Sequence, residues 1–189
     1  MEYDEVRALG WVPLEGRGSL PFALVHGESL VAAASWAVGE AGVQLFDASV
    51  TFDQVRESGR PLLVHDPLCP LTPAGFLAEA VQRCIAEDRV VVGYRPVTDT
   101  VKHRDGELLG ATVDRIGLRS IASPVVLPAR VVSARESLDA ADLPALVADL
   151  AADQEPVWLE APPVGRRIGS AADIVALEAL SRSLADPPR

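Results

Sequence analysis

Apolar residues along this chain fall into two alternating rhythms: short unbroken runs, and stripes that recur every three or four positions. Val6 to Pro13 reads as a first strand, closed by the Gly-rich turn Glu15-Gly16-Arg17-Gly18-Ser19. Ser29 is placed to cap a helix in which Leu30, Val31, Ala34 and Val38 repeat at helical spacing. Pro61 to His65 is a short apolar run of the kind found in a parallel strand buried on both faces. Thr72 and Pro73 then supply an N-cap and a first helical position, and Phe76, Leu77, Ala80, Val81, Cys84 and Ile85 form one stripe. Arg89 to Tyr94, centred on Val90-Val91-Val92, is a second buried strand.

The rhythm changes between Thr100 and Arg115. Asp105-Gly106 sits there between extended segments carrying Val101, Leu108, Leu109 and Val113, which predicts a β-hairpin. Beyond it come a helix around Leu143, Leu146, Val147 and Leu150 and a strand around Val157-Trp158-Leu159. Ser170 opens a last helix, with Asp173 at near capping-box spacing and Ile174, Leu177 and Leu180 facing the core. Repeated strand–helix units with short connections predict an α/β fold of three layers, Rossmann-like, with a mostly parallel sheet covered on both faces. The hairpin projects from it as an arm at about 100–115. No repeat or linker divides residues 1–189, so a single domain is expected.

Composition narrows the partners. The 17 basic and 27 acidic residues leave a net charge of −10. A chain of that sign repels nucleic-acid phosphates and anionic membranes, which argues against both as partners. No run approaches the roughly 18 apolar residues of a membrane helix, and the acidic start Met1 to Glu5 has no signal-peptide pattern. The cytoplasm is the expected location. Cys69 and Cys84 have no metal-ligand spacing and are too few for a disulfide framework; Cys84 lies on a helical apolar face as a core residue.

Four polar clusters fall at strand ends, where open α/β sheets bind ligands. Gly16-Arg17-Gly18-Ser19 can offer backbone N–H groups to phosphate, or simply reverse the chain. Asp66, after the Pro61–His65 strand, can hold a divalent metal or a ribose hydroxyl, or cap its own loop. Lys102 and Arg115, on opposite sides of the hairpin, can grip a phosphate or be solvated charge on an exposed ribbon. Arg166-Arg167, just ahead of the Ser170 cap, suit an anion near a helix N-terminus or balance an acidic surface.

Taken together, these segments resemble the 2-C-methyl-D-erythritol 4-phosphate cytidylyltransferases of the non-mevalonate isoprenoid pathway. Val64-His65-Asp66-Pro67-Leu68-Cys69-Pro70 is similar to the family's V-H-D-A-A-R-P, and Pro96 to Lys102 to its P-V-x-D-T-x-K. Thr112-Val113-Asp114-Arg115 matches T-V-x-R, Ile121 to Pro124 falls at its Q-T-P-Q segment, and Arg166 to Ile174 resembles x-K-x-T-x-P-E-D-L. The resemblance implies a nucleotidyltransferase fold and transfer of a cytidylyl group from CTP to a sugar-alcohol phosphate, with Mg²⁺ and release of pyrophosphate. It implies catalytic roles for Arg17 and Arg167, and nucleotide contacts from Gly16, Gly18 and Ser19. Acceptor contacts would come from Asp66, Thr100, Lys102, Arg115 and Ser123, with Asp66 also the metal ligand. The hairpin arm would join two copies into a homodimer.

The departures from the family fall on cations. Glu15 puts a negative charge into the Gly-rich loop, Phe22 stands where the family has the lysine of a Pro-Lys pair, and Cys69 replaces an arginine. Val125 replaces the second glutamine of Q-T-P-Q, whereas Arg167 keeps the charge of a lysine. The stretch from Leu30 to Leu63 is shortened, so the second and third strand units, with the family's base-contacting G-G-x-x-R-x-x-S-V segment, are expected to be reduced or missing. Each lost transition-state donor typically costs about 10²–10³ in rate. The expectation is therefore a family member with impaired or lost cytidylyl transfer and a binding or partner role; the other reading is an active nucleotidyltransferase.

Overall fold

Two short apolar runs flank the middle of the sheet because each alternates its side chains between two covered faces. In this computed structural model, which describes residues 8–47, 49–98, 101–105 and 108–185, β5 (Leu62–Val64) sends Leu62 and Val64 to one face and Leu63 to the other. β6 (Val91–Pro96) does the same with Val91 and Val92. The central positions of these strands are shielded from water on both faces, and the sequence shows apolar runs there without polar alternation.

In chain order the elements are β1 (Leu9–Trp11), β2 (Leu24–Val25), β3 (Glu28–Ser29), α1 (Leu30–Glu40), β4 (Gln44–Leu45), α2 (Phe52–Glu57), β5, α3 (Ala74–Glu87) and β6. There follow β7 (Val101–Asp105), β8 (Leu108–Val113), β9 (Arg119–Leu127), α4 (Ala129–Ser133), α5 (Leu143–Asp153), β10 (Val157–Glu160) and α6 (Ala171–Ala185). The main sheet has the order β10-β6-β9-β5-β1-β4. All its pairings are parallel except those of β9, which runs against both β5 and β6. The carboxyl ends of the other five strands therefore open on one edge of the sheet.

Helices cover both faces. Val38 of α1 and Leu77, Ala80, Val81 and Cys84 of α3 pack on Leu63, Val91 and Val126. On the other face, Leu143, Leu146, Val147 and Leu150 of α5, with Val55 and Val132, pack on Leu62, Val64, Val92 and Val125. The expected mostly parallel, three-layer α/β fold is what the chain adopts. The hairpin also forms: β7 and β8 pair antiparallel as a separate two-stranded sheet, from Val101 opposite Val113 to Asp105 opposite Leu108.

Several expectations need correction. The α3 N-cap is Pro73, not Thr72, because the Thr72 hydroxyl donates to the Cys69 carbonyl oxygen at 2.9 Å and so tightens the preceding turn. Ile85 lies on the exposed side of α3. The shortened Leu30–Leu63 stretch still forms a strand, but only the two-residue β4 pairing with β1 at the sheet edge. By contrast, Ser29 caps α1 as expected, accepting from the Ala32 N–H at 3.3 Å. The start of the expected first strand, up to residue 7, lies outside the described residues.

One glycine governs the centre. A Cβ on Gly93 would lie 2.7 Å from the Ser123 carbonyl oxygen and 2.8 Å from its carbon, so β6 and β9 approach there only because the side chain is missing. Gly93→Ala is expected to destabilise the domain by about 1–3 kcal/mol, the usual cost of overpacking a well-filled interior, read as a lower urea midpoint with an unchanged slope. An unchanged midpoint would show that the strands part freely at this point.

Candidate functional site

The loop after β1 enters the carboxyl edge through two left-handed glycines, with φ of 76° at Gly16 and 58° at Gly18. A Cβ on Gly16 would lie 2.7 Å from the Ala141 carbonyl oxygen, so only glycine lets the loop press so close. Arg17, between them, turns inward. Its guanidinium donates from Nε to Asp66 Oδ1 at 2.7 Å, from Nη1 to the Glu15 carbonyl at 2.6 Å and from Nη2 to the Ala140 carbonyl at 2.9 Å. Its side chain is 1% exposed. Ser19 and Gly18 stay at the surface beside it.

Asp66 follows β5 and is buried. Oδ1 also accepts from the Leu68 N–H at 3.0 Å, and Oδ2 accepts from Arg167 Nε at 2.9 Å. Arg167 reaches Asp66 because the flanking residues are pinned: the Ile168 N–H donates to the Leu68 carbonyl at 2.7 Å, and Ile168 and Leu68 share an apolar cluster with Leu177 of α6. Asp173 accepts from the Gly169 N–H at 2.9 Å and the Ser170 hydroxyl at 3.0 Å, which fixes the start of α6 beside Arg167. The result is a buried carboxylate held between two guanidiniums that come from opposite ends of the chain.

Behind it, Ser123 of β9 is fully buried. Its hydroxyl oxygen accepts from the Asp66 N–H at 2.9 Å and lies 2.5 Å from His65 Nδ1. The ring is neutral, and the direction of the Ser123–Nδ1 bond follows the His65 tautomer. Ser123 thus positions the Asp66 backbone rather than standing free for an acceptor. His65 Nε2 has no hydrogen-bond partner among the described residues.

Burial pushes His65 down from 6.5 to about 4, against the opposing pull of the Asp66 charge, so the ring is neutral. Burial alone would raise the Asp66 carboxyl, but the Arg17 hydrogen bond and charge, the Leu68 N–H and Arg167 outweigh it and hold the group below the usual carboxylate range. Burial raises the Cys69 thiol, as does the Asp66 charge, so Cys69 is an inert thiol packed where the family has an arginine.

These residues do not fit a Mg²⁺ ion at Asp66. Both oxygens already accept charge-assisted bonds, two guanidiniums repel a further cation, and the described residues hold no group of three or more His, Cys, Asp or Glu able to bind one.

Of the other expected site residues, Lys102 and Arg115 stand exposed on the arm. Arg115 donates to the Thr98 carbonyl across its base, and among the described residues Asp66 pairs with Arg17 and Arg167, not with either arm cation. Thr100 lies outside the described residues. Two arginines gain prominence instead. Arg95 and Arg166 join Arg167, Thr98 and Ser120 around a pocket of about 510 Å³. Arg95 lies one residue beyond the expected strand end at Tyr94, so its place on the continuing β6 was hidden. Its guanidinium donates to the Ala161 carbonyl at 2.6 Å and lies 3.4 Å from Glu160.

Two outcomes follow from the buried cluster. Asp66→Ala leaves the buried Arg17 charge uncompensated and is expected to cost about 3–5 kcal/mol, measured by urea unfolding; a loss under about 1 kcal/mol would mean that Arg17 leaves the interior freely. Acid acts through His65: the unfolded chain takes up a proton near 6.5 and the folded one only near 4, so stability is full above 6.5 and declines as pH falls towards 4. The loss is expected to be on the order of 3 kcal/mol, absent in His65→Gln, and a wild-type stability flat across that window would remove this account.

No family model matches the chain. The 2-C-methyl-D-erythritol 4-phosphate cytidylyltransferase of Corynebacterium glutamicum is 32% identical over 127 residues, which cover 66% of this chain and 46% of the relative. A bifunctional enzyme IspD/IspF from Solidesulfovibrio magneticus is 32% identical over 100 residues, covering 50% of this chain and 25% of that protein. The match thus spans less than half the length of each of these curated relatives. The crystal structure of the 2-C-methyl-D-erythritol 4-phosphate cytidylyltransferase from Thermus thermophilus aligns with a TM-score of 0.66 at 22% identity, over 93% of this chain and 98% of that one. The structural likeness carries the fold, and the sequence matches support assignment of the chain to the 2-C-methyl-D-erythritol 4-phosphate cytidylyltransferase family.

Proposed function

We propose that the chain keeps the acceptor half of a cytidylyltransferase site, binding a sugar-alcohol phosphate, and that its transfer of a cytidylyl group from CTP is impaired or lost. One observation carries this reading: the Arg17 guanidinium, the cation of the Gly-rich loop, makes all its hydrogen bonds inside the domain and is 1% exposed. Attack by one phosphate on another accumulates negative charge, and it is stabilised by cations and hydrogen-bond donors aimed at the reacting phosphate. Phe22, exposed in the same loop region, adds no charge.

The acceptor half is better supplied. Arg167 is 41% exposed at its side chain despite its bond to Asp66, and with Arg95 and Arg166 it borders a pocket of suitable size for a small phosphate ester. Guanidiniums suit that ligand because they pair with phosphate oxygens two at a time. The exposed arm, with Lys102 and Arg115, is the surface through which two copies, or this chain and an intact family member, would pair. The same exposed Arg167 favours the second reading, an active enzyme whose acceptor phosphate recruits this cation for transfer.

Pyrophosphate release with CTP, Mg²⁺ and 2-C-methyl-D-erythritol 4-phosphate separates the two. Release at least about 10³-fold slower than an intact family enzyme is expected, the scale of one or two missing donors. A rate within about tenfold of that enzyme would establish the active reading. Calorimetry is expected to detect the acceptor, weakened at least about tenfold in Arg166→Ala. Phe22→Lys is expected to gain affinity for CTP; no gain would mean that the missing lysine is not what limits nucleotide binding.

A further inference from the structure

The carboxyl ends of β1 and β4 open on a different cavity of about 440 Å³. Its walls include Trp11, Phe46, Phe52 and Leu138, and its ionisable lining residues are Glu15 and Asp47, both acids. The Trp11 and Phe46 rings are stacked, with centroids 6.3 Å apart and planes inclined by 25°. Both aromatic residues end strands: Trp11 is the last residue of β1, and Phe46 follows β4, where its N–H donates to the Gly10 carbonyl at 3.1 Å. The pair is therefore held by the sheet itself.

The two carboxylates are anchored and still have capacity. Glu15 Oε2 accepts from the Leu14 N–H at 3.1 Å, and Asp47 Oδ1 accepts from the Ser49 N–H at 2.8 Å and the Ser49 hydroxyl at 2.5 Å. Those Ser49 bonds, the hydroxyl's first, hold Asp47 below its ordinary carboxyl value, so it stays ionised. Glu15 Oε1 and Asp47 Oδ2 accept no hydrogen bond among the described residues. Each acid thus caps its own loop with one oxygen and offers the other.

We infer that this cavity binds a small organic cation, an ammonium group on an apolar or aromatic body. Aromatic faces attract a cation through their negative π-surfaces, most strongly where water is thin, and the two carboxylates add direct charge complementarity. The same lining disfavours a polyphosphate, because two anions stand at its border and no basic residue is among the described residues that line it. Its place at the carboxyl ends of parallel strands is where this sheet architecture gathers ligands. The inference stands apart from the proposed acceptor site, which uses the arginine-lined pocket.

Benzyltrimethylammonium is the probe, titrated against the full chain and followed by tryptophan fluorescence, with neutral benzyl alcohol and anionic benzylphosphonate alongside. Saturable binding is expected, at least about tenfold tighter than benzyl alcohol, with no competition from benzylphosphonate. Glu15→Gln combined with Asp47→Asn keeps both loop-capping acceptors and is expected to weaken the cation about tenfold while leaving the thermal midpoint in place. Trp11→Phe is expected to remove the fluorescence response while calorimetry still detects binding. Equal affinity for cation and alcohol, indifference to the double substitution, or displacement by CTP would each overturn the inference. Calorimetry with 2-C-methyl-D-erythritol 4-phosphate on the same double variant tells the two sites apart, since its outcome depends only on the arginine pocket.

Discussion

A buried carboxylate between two guanidiniums holds this site together. Asp66 joins the loop after β1, the loop after β5 and the segment before α6, three parts of the chain separated by up to 101 residues from Asp66 itself. Arg17 cannot stay in the interior without it, because an unpaired buried charge is far costlier than the pair. Asp66 in turn remains ionised only because Arg17, the Leu68 N–H and Arg167 outweigh its burial. The neutral His65 and Ser123 behind it complete the arrangement by fixing the Asp66 backbone. Each member justifies the burial of the next.

The dependence bears directly on chemistry. A guanidinium that neutralises an internal carboxylate cannot also neutralise a developing phosphate charge without breaking the internal bond first. Arg17 has three such bonds to break, whereas Arg167 has one and is partly exposed. The two cations that the sequence presents as equivalents are therefore unequal in the fold. The difference divides the carboxyl edge of the sheet into two electrostatic halves, with arginines around the β6 and β10 ends and acids with aromatic rings around the β1 and β4 ends.

Most of the fold was legible because fully buried parallel strands leave unbroken apolar runs, and Pro61 to His65 and Arg89 to Tyr94 are such runs. β9 was not. Its first residues, Arg119 and Ser120, are exposed, and Pro124 interrupts a stretch that otherwise runs through Val125, Val126 and Leu127. Proline inside a would-be central strand argues against one, so the sequence shows only a local motif there. β4 was hidden for another reason: two residues carry no period. Ile85 misled because an apolar residue at the edge of a stripe obeys the spacing whether or not anything covers it.

The candidate site was legible as a set of positions and illegible as a state of charge. Arg17, Asp66 and Arg167 each stand out in the sequence, yet nothing in their spacing says that they pair with one another. The same residue types serve a site open to a phosphate and one closed on itself. What tips the balance is local and steric. Gly16 lets its loop fold down onto Ala141, which brings the Ala140 carbonyl within reach of Arg17, while Cys69 occupies a fully buried place where an arginine would need a counter-charge. Cys69 carries no charge, so the two oxygens of Asp66 serve Arg17 and Arg167, one each.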